Sequence, residues 1–160
     1  MNRMAAFSIT PDPVVYVVAT REGTPAALRA GAALRAARDT SIVLLVPEIA
    51  DARESLDARA RRRWAQLKVY ERQAAQVDPL IEVRLCVGAS MEDAVERAAP
   101  RRATVVVGGR ARFWWPSAAQ RLVDQLRRLG YDSVFVSTIP ARPKRPLRAR
   151  PRPVPRVSEG

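Results

Sequence analysis

Five short runs of β-branched and aliphatic residues recur along the chain, and each of the first four is followed by a stretch patterned for a helix. The runs are Val14–Ala19, Ser41–Val46, Ile81–Val87, Ala103–Val107 and Val134–Val136. Most carry apolar residues at consecutive positions, which suits strands buried on both faces. Strands that alternate with helices pair in parallel through right-handed crossovers. The pattern therefore predicts a three-layer α/β/α sandwich around a five-stranded parallel sheet.

Local signals bound the elements. Thr24-Pro25 reads as an N-cap with proline at the first helical position, opening a helix to about Arg38. Gly31 would let that helix lie close to the sheet, and Pro47 is expected to end the second strand. From Asp51 to Val77, apolar residues at Leu56, Ala60, Trp64, Leu67, Tyr70, Ala74 and Val77 step by three or four, which places Trp64 in the core. Acids at Asp51, Glu54 and Asp57 precede arginines at 59 and 61–63, with Asp57 and Arg61 spaced as an i,i+4 pair. The arginines read as a solvated face, with phosphate contact as the other reading. Ile81–Val87 alternates as an outer strand does, and Ser90 with Asp93 opens a helix that stops at Pro100. Ser117 and Gln120 form a second capping box, followed by the stripe Leu122, Val123, Leu126 and Leu129 and a stop at Gly130.

Composition removes whole classes of chemistry. The sequence has no histidine and one cysteine, so Ser-His-Asp, Cys-His and His-metal sites are excluded. Cys86, inside an apolar run, reads as a buried thiol. Asp12, Tyr16 and Glu22 have no spacing that demands catalysis, and the chain is expected not to be an enzyme. The apolar runs, Ile42–Pro47 among them, fall far short of the ~20 residues of a membrane span. The first residues carry no apolar leader core, which makes the cytoplasm the expected location.

The net charge of +12 is unevenly placed. Residues 139–160 hold Arg142, Lys144, Arg145, Arg148, Arg150, Arg152 and Arg156 against Glu159 alone, with six prolines between them. That composition predicts an extended or polyproline II segment able to neutralise phosphates without reading sequence. Three parts follow: an extension over 1–13, an α/β domain over 14–138, and a basic tail over 139–160. The tail reads either as a solubilising segment or as a contact for an anionic partner, whether nucleic acid, a larger protein assembly or a membrane surface.

In open α/β sheets, ligands bind beyond the carboxyl ends of the strands where strand order reverses. The glycine-bearing loops after the first and fourth strands, 20–24 and 108–112, are therefore expected to share a site. Within it, Thr20, Glu22, Gly23, Gly108, Gly109, Arg110, Arg112 and Ser117 are the candidate ligand-binding residues, by backbone N–H, hydroxyl or charge. Gly108-Gly109 also reads as a plain tight turn. Phe113, Trp114 and Trp115 form an aromatic knuckle that either fills the pocket or meets a partner.

Several of these motifs together resemble the universal stress protein family over about residues 14–138. Glu22-Gly23-Thr24-Pro25 looks like its Asp-Gly-Ser segment after the first strand. Val87-Gly88-Ala89-Ser90 through Ala94 looks like the start of its third helix, and Val105–Arg110 resembles its V-V-G-S-R strand and turn. Family members with the full pattern bind ATP through G-x-x-G, a spacer and G-S/T. Here Ala111 stands for the second glycine, the spacer is cut short before Pro116-Ser117, and Glu22 replaces aspartate. The resemblance implies a non-enzymatic regulatory module with a degenerate nucleotide site, where no cofactor is the first expectation and ATP or another adenine nucleotide the second. It also implies a homodimer paired through the fifth strand, with Val134 and Val136 at the interface.

Overall fold

The structure is a computed structural model that describes residues 13–138 apart from 52 and 113. Nine elements alternate: β1 (Val14–Val18), α1 (Thr24–Arg38), β2 (Ser41–Ile49), α2 (Leu56–Val77), β3 (Glu82–Gly88), α3 (Met91–Ala98), β4 (Thr104–Gly109), α4 (Ala118–Arg128) and β5 (Asp132–Ser137). All four strand pairings are parallel, in the order β3-β2-β1-β4-β5. Consecutive strands run outward in one direction from β1 to β3 and in the other from β4 to β5. The reversal falls between β1 and β4.

Alternation along β1 divides the core in two. Val15 and Val17 face α1 and α2, packing with Ala27, Leu28, Leu44 and Ala74. Tyr16 and Val18 face α3 and α4, packing with Leu45, Val95, Val107 and Leu126. A Cβ on Gly31 would stand 2.9 Å from Val17 Cγ2, so α1 does lie on the sheet at a distance only glycine permits. Cys86 is buried and unpaired, and its surroundings push the thiol from its ordinary 9.0 up to about 11 by desolvation.

Four local readings are corrected. Gly23, not Thr24, is the N-cap of α1; Thr24 is the first helical residue, and its hydroxyl donates to Thr20 O at 2.7 Å. Pro47 lies inside β2, opposite Cys86 of β3. The reason is directional. Leu45 O accepts from Ala19 N–H, so odd residues of β2 turn their backbone polar groups toward β1, while Ala50 N–H donates to Gly88 O on the β3 side. Pro47 therefore turns its missing N–H to the side where β1 has already ended, and no ladder bond is lost. α2 begins at Leu56 with Ser55 as N-cap, accepting from Ala58 N–H at 3.3 Å. Trp64 is 65 % exposed, while Arg62, Arg63, Gln66 and Leu67 on either side of it are partly buried, so the inward stripe of α2 passes beside it.

Candidate functional site

The two glycine loops meet at the strand-order reversal. Thr20 organises the contact: its hydroxyl donates to Gly108 O at 2.8 Å and accepts from Gly23 N–H at 3.0 Å, and its own N–H donates to Thr24 Oγ1 at 2.9 Å. Gly23 and Gly108 touch backbone to backbone. A Cβ on Gly108 would stand 2.0 Å from Gly23 O, and one on Gly23 would stand 1.9 Å from Gly108 C. A Cβ on Gly109 would meet Ala119 Cβ at 2.6 Å. The glycines are thus required by the packing of loop on loop, and Gly108 O is engaged by Thr20 rather than open to a ligand.

Two connected cavities open above this contact. The larger, about 810 Å³, is walled by Ala19, Pro47, Gln66, Tyr70, Met91 and Leu122 among others. The smaller, about 320 Å³, is bordered by Glu22, Gly109, Arg110, Arg112 and Ser117. Thr20, Ala118, Ala119 and Arg121 border both. Ala118 and Ala119 open α4, where backbone N–H groups lack helical acceptors and the helix dipole favours negative charge. Arg121 on the same helix adds a full positive charge at the junction. Burial pushes the Tyr70 hydroxyl up against the lowering pull of Thr24, so it stays protonated at neutral pH.

Of the sequence-derived ligand residues, Thr20, Glu22, Gly109, Arg110, Arg112 and Ser117 border the small cavity together with Gly108, while Gly23 lies buried beneath it. Glu22 is 3.8 Å from Arg110, both largely exposed, so the pair contributes little to stability. Gln66, Tyr70, Met91 and Arg121 were not legible as site residues. The first two sit four apart on α2, the spacing that puts side chains on one face.

The arginine cluster of α2 is also clarified. Arg63 Nε donates to Glu48 at 2.6 Å, and Arg62 lies 3.6 Å from Glu48 and bonds Glu54 at 3.0 Å through Nε. Glu48, whose side chain is 1 % exposed, is a buried carboxylate in β2 that the sequence reading passed over. Arg62 and Arg63 therefore tie the first half of α2 to β2 instead of forming a free basic face.

Trp114 and Trp115 of the aromatic knuckle do not fill either cavity. Trp114 and Trp115 are 86 % and 80 % exposed, which forgoes the roughly 1.5–3 kcal/mol that burying a large apolar side chain supplies. Phe113 lies outside the described residues, as do Arg142, Lys144, Arg145, Arg148, Arg150 and Arg152. Val134 is 37 % exposed and Val136 half-buried on β5, an edge strand.

No protein family matches the sequence, and no curated protein does. Solved structures do. A universal stress protein from Archaeoglobus fulgidus aligns over 78 % of this chain and 93 % of its own, with 14 % identity and a TM-score of 0.59. The fold is that of the universal stress proteins. A universal stress protein in complex with cAMP aligns over 80 % of this chain and 99 % of its own, at 20 % identity and a TM-score of 0.57. The Archaeoglobus fulgidus protein in complex with dAMP aligns over 79 % and 98 %, at 16 % identity and a TM-score of 0.54. Among the described residues, no helix is long and apolar enough to cross a membrane.

Proposed function

We propose that the protein is a non-enzymatic regulatory module of the universal stress type, whose site takes a nucleoside monophosphate and disfavours a triphosphate. The observation that carries this is the joined pair of cavities. One is of the size that small-molecule sites have, roughly 300–1,000 Å³, and largely apolar-walled; the other is small and positively charged. The base and ribose occupy the larger, and the phosphate meets the start of α4 and Arg121. Room for further phosphates is short, because Thr20 closes on Gly108 and Pro116 and Ser117 border the small cavity. Two of the similar structures hold cAMP and dAMP, both monophosphates. Against catalysis stand the absence of histidine and a cavity wall whose carboxylate, Glu92, has no base or nucleophile assembled beside it.

Isothermal titration with AMP, cAMP and ATP tests the reading. The monophosphates should bind more tightly than ATP, and Arg121→Ala should weaken them by about tenfold, the loss of one charge-assisted contact. Failure of every monophosphate to bind at millimolar concentration would remove it. We propose further that two copies pair through β5, because an edge strand with an exposed valine is a surface that soluble proteins usually cover. Val134→Lys should then halve the mass seen by light scattering.

A further inference from the structure

Among the described residues that wall the larger cavity, Glu92 is the one acid. It stands in the first turn of α3, where an acid ordinarily serves the helix N-terminus. That place is already served by its neighbour. Asp93 accepts from Ala89 N–H at 2.8 Å and from Arg97 Nε at 2.9 Å, while Ser90 Oγ accepts from Asp93 N–H at 3.2 Å. Glu92 is half-buried and makes no hydrogen bond or ion pair with any described residue. Gln125 of α4 joins it: both border the larger cavity and also the hollow outside it formed with Ser90, Arg128 and Leu129, so they share one rim. Along α4, Ala118 and Ala119 lie six or seven residues before Gln125, about 9–10 Å at the helical rise. That is the scale of a nucleotide from its phosphate to the far edge of its base.

Resting on the mononucleotide reading above, we propose that this rim makes the site selective for guanine, with Glu92 accepting from N1–H and the 2-amino group and Gln125 Nε2 donating to O6. A carboxylate offers two acceptors side by side and no donor, and guanine is the base whose pairing edge sets two donors side by side next to an acceptor. Adenine turns the N1 lone pair toward the same carboxylate. A site built around buried polar partners rejects the base that leaves them unmatched. The phosphate, held by the start of α4 and Arg121, lies at the other end of the ligand, so Glu92 meets the base and does not repel the anion.

The test is isothermal titration of the full chain with GMP, IMP and AMP, which share one ribose and one phosphate. GMP should bind about tenfold or more tightly than AMP. IMP, which keeps N1–H and O6 but lacks the amino group, should fall between them. Glu92→Gln, folded by circular dichroism, should reverse the order, because the amide gives adenine N1 the donor it lacks and sets an N–H against a donor of guanine. GMP should weaken about tenfold and AMP should tighten. Gln125→Leu should weaken GMP and IMP alike, by about fivefold. The inference is overturned if AMP binds the parent as tightly as GMP, or if Glu92→Gln weakens both nucleotides equally, as loss of a helix-end charge alone would. Equal binding of all three nucleotides removes only this inference and leaves the mononucleotide reading standing, whereas failure of all three at millimolar concentration removes both.

Discussion

Replacing Gly108 by alanine places a methyl group where Gly23 O now lies, 2.0 Å away. Both partners are backbone, so neither side can rotate aside, and the loops after β1 and β4 must separate. Overpacking of this kind costs about 1–3 kcal/mol. Separation also breaks the Thr20 hydroxyl bond to Gly108 O, worth about 1 kcal/mol net. The sum, roughly 2–4 kcal/mol, corresponds to a fall in Tm of about 6–12 °C for a chain of this length. Thermal melts and urea titrations measure it. The companion variant Gly23→Ala offends the same contact, so the double variant should fall short of the sum of the singles by about 1 kcal/mol or more. A Gly108→Ala protein that melts within about 3 °C of the parent, or strict additivity with Gly23→Ala, would refute loop-on-loop packing as the reason for the glycines.

Three other outcomes follow from the same contacts. Arg63→Met leaves the buried Glu48 carboxylate with Arg62 alone, and should destabilise the protein by about 2–3 kcal/mol in urea, less than for a fully buried pair because the arginine is partly exposed. The Cys86 thiol, pushed up to about 11, should react with a disulfide reagent at pH 8 about a hundredfold more slowly than in the unfolded chain; its neutral form stabilises the fold below the ordinary 9.0, and that contribution is lost as pH rises through about 11. Asp93 is held below its ordinary 3.8 chiefly by the Arg97 side chain and then by Ala89 N–H, so its contribution is present above 3.8 and lost as pH falls through the lower folded value; Asp93→Asn should melt earlier at neutral pH, with the difference closing in acid.

The order of elements was legible because burial on two faces leaves a continuous apolar run, and the runs at Val14, Ser41 and Thr104 have that form. The meeting of the two glycine loops was legible from the reversal rule alone. Trp64 was misplaced for a geometric reason. Apolar periodicity finds the inward side of a helix only where that side is apolar. Around Trp64 the partly buried residues of α2 are Arg62, Arg63, Gln66 and Leu67, so the inward stripe there is largely polar and an apolar pattern misplaces it. Pro47 was read as a stop because proline cannot donate, yet whether a donor is needed depends on register with β1, which no local pattern carries. Gln120 was visible as a capping residue, while its second bond, to Arg112, joins positions whose proximity only the folded loop creates. The cavity wall from α2 was hidden for the same reason.

The clasp at Gln120 makes the segment it closes an interchangeable part. Gln120 Oε1 accepts from Arg112 N–H at 3.3 Å and from Ser117 N–H at 2.8 Å, so the chain on each side of positions 113–116 is tied to α4. Substitutions, and even short insertions, between Arg112 and Ser117 should therefore be tolerated by the domain while changing what it displays.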